Sequence, residues 1–111
     1  MKTTSPHLLR LLAATALLLA VSTASQAQDK TAQLHNRATA AMCANCHGTE
    51  GRTTEGSAIP SLAGMPKEYH VLQMQAFKNG TRPATVMHQI TKGLTDAQID
   101  TIASYYATTK R

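Results

Sequence analysis

An all-α, single-domain fold with three main helices joined by loops follows from three features of this 111-residue sequence. Three stretches carry apolar residues at helical spacing. Between the first and second lies a run of glycines and a proline, too rich in breakers for another long element. The only two cysteines fall within one turn's length, in Cys43-Ala44-Asn45-Cys46-His47-Gly48.

The chain begins with a targeting pattern. Lys2 and Arg10 flank a short basic region, Leu11 to Val21 is almost wholly apolar, and Ser25-Gln26-Ala27 provides a small-x-small cleavage site. Residues 1–27 therefore read as a signal peptide and residues 28–111 as the domain, with Ala24 as the nearest alternative cleavage point. The apolar run is shorter than the ~20 residues a membrane crossing needs. No transmembrane segment is expected after signal removal, and no cysteine follows the run to suggest a lipoprotein. The implied destination is the periplasm, an oxidising compartment. Both cysteines nevertheless sit in one motif and not in a disulfide framework.

Within the domain, the first helix is expected from about Thr31 to Met42, on the recurrence of Leu34, Ala38, Ala41 and Met42. The loop that follows contains Gly48, Gly51, Gly56, Pro60 and Gly64. A second helix is expected from Pro66 to Asn79, with Pro66 in the first helical position and Asn79-Gly80 as its stop. Its apolar face reads as Tyr69, Leu72, Ala76 and Phe77, with Met74 at the margin. The segment between Gly80 and Gly93 shows only weak helical character. The third helix has a Thr95-x-x-Gln98 capping box, Asp96 in its first turn and a stripe of Ile99, Ile102, Ala103 and Tyr106.

The motif at Cys43–Gly48 has the C-x-x-C-H form that attaches a haem. Two thiols one helical turn apart can add to the two vinyl groups on one porphyrin edge, and the next residue, His47, can then ligate the iron. A thioredoxin-like redox pair would follow a strand, and none precedes it here. Zinc would need two further ligands at finger-like spacing, whereas His35, His70 and His88 are scattered singly. With a single motif, one covalently attached haem is expected. Across the ring the candidates are Met42, Met65, Met74, Met87 and the three spare histidines. Met42 adjoins Cys43, Met74 fits a helical gap-filler, and Met65 precedes a helix start. Met87, in the segment that can return across the opposite face, is favoured, and its neighbour His88 is the alternative. Otherwise His35, His70 and His88 read as partly exposed polar residues.

Composition adds two expectations. Aromatic residues are few, Phe77, Tyr69, Tyr105 and Tyr106 with no tryptophan, so the bound group should supply apolar bulk that the polypeptide lacks. The chain is basic, at a formal +5, and Lys67, Lys78, Arg82 and Lys92 could steer an acidic partner or simply keep the surface soluble. No basic run with interleaved aromatics points to nucleic acid.

The sequence resembles class I cytochromes c of the short bacterial type. Cys43-Ala44-Asn45-Cys46-His47-Gly48, Ile59-Pro60-Ser61-Leu62-Ala63-Gly64, Thr85-Val86-Met87 and the closing helix from Leu94 to Ala107 carry the resemblance. It implies a cytochrome c fold wrapped around haem c, thioethers at Cys43 and Cys46, and His47 and Met87 as the axial pair. It also implies that the Pro60 carbonyl accepts a hydrogen bond from the proximal imidazole. A narrower similarity, to the cytochrome subunit of flavocytochrome c sulfide dehydrogenases, rests on Tyr69, Phe77-Lys78-Asn79-Gly80, Arg82-Pro83-Ala84-Thr85-Val86-Met87 and Lys92-Gly93-Leu94-Thr95-Asp96. It implies an electron-transfer subunit, without a catalytic site of its own, that accepts electrons from a separate FAD-containing flavoprotein. Some members carry two haems, and this chain has the motif for one. The alternatives are a free soluble shuttle to a terminal oxidase or reductase, a haem protein that binds or senses a ligand, and a haem-free thiol oxidoreductase.

Overall fold

The computed structural model describes residues 26–111. The compact unit that bears the motif is His35–Arg111, and of the unit ending at Leu34 only residues 26–34 are described. The expected signal peptide therefore lies outside the described residues except for its last two. The elements are α1 (26–41), α2 (Ala44–His47), a 3-10 turn (Thr49–Gly51), α3 (Lys67–Lys78), α4 (Met87–Lys92) and α5 (Asp96–Thr108). No strand occurs among the described residues, and no helix there is long and apolar enough to cross a membrane.

The last helix is the one most fully encoded by its own residues. Thr95 Oγ1 accepts from Gln98 N–H at 3.2 Å while Thr95 N–H donates to Gln98 Oε1 at 2.9 Å, so the capping box closes in both directions. Ile99, Ile102, Ala103 and Tyr106, the expected stripe, are all buried. Tyr106 extends the order to distant parts of the chain. Its hydroxyl donates to Ala40 O at 2.8 Å, at the end of α1, and the Tyr105 ring meets it edge-on at 5.2 Å.

That contact explains why the first helix buries a different face from the expected one. Leu34, Ala38, Ala41 and Met42 are exposed, and the fully buried residue is Ala40. Its methyl is small enough to let the Tyr106 ring approach and its carbonyl receives the hydroxyl. Burial on α1 is decided by the far end of the chain, not by local spacing.

On α3 the difference is similar. Pro66 caps the helix at φ −54°, ψ 134° and so stands just before the first helical residue, with its carbonyl accepting from His70 N–H at 3.0 Å. Tyr69 and Leu72 are more than half exposed, whereas His70 and Met74 are 3% exposed. The buried ridge is thus the i, i+4 pair His70 and Met74, rotated from the expected face. Asn79 and Gly80 end the helix as expected, with Gly80 at φ 75°.

The segment before Gly93, read as weakly helical, forms α4. Thr91 is completely buried and its Oγ1 donates to Met87 O at 2.8 Å, closing the short helix on itself. α3 packs against both α4 and α5. Lys78 joins the end of α3 to the start of α5, with Nζ at 2.8 Å from both Leu94 O and an Asp96 carboxylate oxygen.

The loop between α2 and α3 is anchored at Gly51. Its carbonyl accepts from Leu62 N–H at 2.8 Å, Ala63 N–H at 3.1 Å and Ser61 Oγ at 2.8 Å, which pulls the loop back beside the motif. Gly51 lies at φ +71°, and a Cβ there would come within 2.5 Å of the Tyr106 ring. Beside it Glu50 takes φ 55°, a left-handed conformation unusual for a residue with a side chain. Its carboxylate accepts from Arg37 Nη2 at 2.7 Å and from the Tyr105 hydroxyl, so the turn is clasped to α1 and α5. A hollow of about 180 Å³ beside this cluster touches the motif only through Ala44 and contains neither cysteine nor His47.

Two expectations follow. Gly51→Ala forces both a left-handed alanine and a clash with a buried ring, so it should cost about 2–4 kcal/mol in chemical denaturation. The second concerns acid. The Tyr105 hydroxyl, followed by Arg37, holds the Glu50 carboxyl below its ordinary range. Because the folded value is the lower one, this contribution is intact above the ordinary carboxylate range and is lost as pH falls through it. Glu50→Gln should therefore lose less stability than the parent between about pH 6 and about pH 3, measured by denaturant midpoints.

Candidate haem-attachment site

The motif starts where α1 ends and makes its own single turn. Cys43 N–H donates to Ala40 O at 3.1 Å, and Cys43 O accepts from Cys46 N–H at 3.3 Å and His47 N–H at 2.9 Å. Cys43 and Cys46, three residues apart, share one face of this turn, and the imidazole follows immediately. Gly48 permits the exit at φ +79°, where any Cβ would lie 1.9 Å from Arg52 O.

Both cysteines are free, Cys43 half-buried and Cys46 exposed. Burial, and after it the charge of Cys46, pushes the Cys43 thiol up to about 11. A thiol oxidoreductase needs the opposite shift, a thiolate near neutral pH.

His47 is 8% exposed, with Nδ1 at 2.7 Å from Pro60 O. A carbonyl can only accept, which assigns the proton to Nδ1 and leaves the Nε2 lone pair available to a metal. The structure thus brings Pro60, 13 residues away in sequence, onto the motif's histidine. Gly51 is what places it, through the neighbouring Ser61 and Leu62.

Met87 opens α4, half-buried, with its main chain fixed by Thr91. It packs against the same buried cluster of Ala40, Leu62, Met74, Leu94, Ile99, Ile102 and Tyr106 that receives Cys43 and Met65. Met74 is core and Met42 is about half exposed. His88 is half-buried, and its Nδ1 has no partner among the described residues. His35 is exposed.

His70 differs from the sequence expectation of a partly exposed polar residue. It is 3% exposed, its ring centroid lies 6.0 Å from that of Tyr106, and its Nδ1 has no partner among the described residues. Burial, and after it the charge of His47, pushes its pKa down to about 4. The available signal was its spacing of four from Met74 within α3. The apolar Tyr69 and Leu72 of the expected face masked it.

The basic residues expected to steer a partner are largely engaged by the chain itself. Lys67 pairs with Asp100 at 2.7 Å, Lys78 with Asp96 at 2.8 Å, and the Arg82 guanidinium lies 4.6 Å from the Phe77 ring centroid.

The chain is similar to several known proteins. Residues 29–105 match the family described as cytochrome C oxidase, cbb3-type, subunit III. The cytochrome subunit of sulfide dehydrogenase from Chlorobaculum tepidum is 45% identical over 64 residues, covering 58% of this chain and 56% of that protein. Cytochrome c-554(548) from Halomonas halodenitrificans is 34% identical over 68 residues, covering 59% of this chain and 81% of that protein. A cytochrome c4 structure from Acidithiobacillus ferrooxidans aligns with a TM-score of 0.56 at 39% identity, over 60% of this chain and 37% of that one. The chain spans about half the length of the Chlorobaculum protein and about a third of the Thiomonas intermedia thiosulfate dehydrogenase electron acceptor. Proteins of this family and these relatives carry covalently attached haem c, and the two free thiols with an adjacent, oriented imidazole fit that group. The chain belongs to the cytochrome C oxidase, cbb3-type, subunit III family, a family of c-type cytochrome domains, and its C-x-x-C-H motif fits a covalently attached haem c.

Proposed function

We propose that this cytochrome is a periplasmic carrier of single electrons, with His47 and Met87 as axial ligands, and that it serves as the electron-accepting cytochrome subunit beside an FAD-containing sulfide-oxidising flavoprotein. The observation that carries the reading is the 2.7 Å contact between His47 Nδ1 and Pro60 O. It turns an ordinary histidine into a ligand with one committed nitrogen and one free nitrogen. Haem held there supplies a one-electron ferric/ferrous couple.

The chain's residues set the conditions for that couple. Cys43 and Cys46 would hold the haem, and His47, already oriented by Pro60 O, would offer its Nε2 to the iron. Met87 offers a soft thioether, the ligand type that raises the potential of electron-transfer haems. Its seat on α4 is held by Thr91 and by packing against α3. Leu62, Leu94, Ile99 and Ile102 exclude water around the site, which disfavours the extra charge of the ferric state. With both axial positions taken, no coordination site is left for a substrate, so the flavin chemistry belongs to the partner.

The similarity to a sulfide dehydrogenase cytochrome subunit supports that partner. The signal pattern at residues 1–27 supports export. A second reading, a free shuttle to a terminal oxidase or reductase, is favoured by the extent to which this chain spans the Halomonas cytochrome, 81% of its length.

The ligand test compares Met87→Ala with Met65→Ala, because both methionines pack against the same core. Met87→Ala should abolish the sulfur-to-iron charge-transfer band, lower the reduction potential and allow ready carbon monoxide binding to the ferrous protein. Met65→Ala should keep the band. A band that survives Met87→Ala contradicts the assignment. For the partner, sulfide should reduce the cytochrome only when a co-purifying flavoprotein is present, and a native extract lacking both signs would favour the shuttle.

A further inference from the structure

His70 is a polar group that the polypeptide encloses without satisfying. It is 3% exposed, and its Nδ1 has no hydrogen-bond partner among the described residues. Leaving such an atom unpaired costs about 1–3 kcal/mol, so an apolar side chain would serve a plain core position better. The nearby groups do not meet the need. Met74 offers no oxygen, and the Tyr106 hydroxyl is committed to Ala40 O. The imidazole is enclosed beside the Tyr106 ring, with centroids 6.0 Å apart, and burial disfavours its charged form, which leaves one N–H to donate.

None of the described residues supplies that partner. Haem c brings two carboxylates, and the rest of its rim is apolar. A carboxylate drawn toward a buried cluster needs a donor. Three cations of this half of the chain are engaged elsewhere, Lys67 by Asp100, Lys78 by Asp96 and Arg82 by the Gln73 side chain and the Phe77 ring, while Lys92 is exposed on α4 and not enclosed beside His70. We propose that His70 is a positioning residue for the cofactor, its Nδ1–H donating a hydrogen bond to a carboxylate of the attached haem. The bond would tie the haem to α3 as well as to the motif at α2. It would also neutralise part of a negative charge that otherwise favours ferric iron.

This inference rests on the haem reading above, and the experiment separates the two. In the ¹⁵N-labelled, haem-loaded ferrous protein, His70 Nδ1 should carry a proton that exchanges with solvent at least roughly tenfold more slowly than that of an exposed imidazole such as His35. His70→Leu fills the space without a donor, and His70→Asn restores an N–H near the same place. At pH 8, where a carboxylate of ordinary pKa stays ionised, His70→Leu should move the ferric/ferrous ratio toward ferric at fixed ambient potential. A shift on the order of tenfold corresponds to 59 mV for one electron. His70→Asn should recover most of it. An unprotonated Nδ1, an unchanged ratio in His70→Leu, or a proton shared only with exchanging water would overturn the proposal. If His70→Leu fails to take up haem, the nitrogen spectrum of the unaltered protein and the His70→Asn ratio still decide. A colourless protein would overturn the haem reading and this inference together, whereas a coloured one with a bare Nδ1 overturns this inference alone.

Discussion

The hydrogen bond between His47 and Pro60 is the constraint on which the rest of the site depends. A histidine after a C-x-x-C pair could present either nitrogen and several ring orientations. Tying Nδ1 to a carbonyl at 2.7 Å removes that freedom and gives the metal a defined lone pair. The loop that delivers the carbonyl has no long secondary structure of its own. Its stiffness comes from three donors gathered on Gly51 O and from glycines at positions where a Cβ would strike Arg52 or Tyr106. The backbone around the motif is therefore specified by what small residues permit as much as by what large ones fill.

The core follows the same economy. It is built from a few aliphatic side chains on α5, one alanine of α1, Leu62 and Met74, with Tyr106 as the single large aromatic at its centre. Tyr106 packs against Gly51, lies near His70 and bonds to Ala40, so one residue touches the turn after the motif, the second long helix and the end of the first. A core this small gains from any rigid apolar body that can be added to it. A covalently tethered porphyrin is such a body, and tethering also keeps it from exchanging away.

What could be read in the sequence was whatever is local. The capping box and stripe of α5 are complete within thirteen residues, and the C-x-x-C-H motif is visible within five. The long-range choices were hidden. Ala40 is buried because a tyrosine 66 residues later needs its carbonyl, and the apolar Leu34, Ala38 and Ala41 around it gave no hint of that. On α3 Tyr69 and Leu72 of the expected apolar face are exposed and Ala76 and Phe77 half-buried, while the buried pair is Met74 and His70, a residue that spacing rules count as polar. α4 has six residues and no capping side chain, so its helical state depends on Thr91 and on the neighbouring α3. Glu50 sits in a left-handed conformation that only its contacts with Arg37 and Tyr105 make intelligible.

The measurement that bears most directly on this account is the mass of the tryptic peptide spanning Cys43 to His47, taken from the exported protein without a reducing or alkylating step. The account predicts a peptide heavier by one haem, bound through thioethers at both Cys43 and Cys46 and absorbing in the visible. A peptide of bare polypeptide mass, with its sulfurs free or joined to each other, would contradict it.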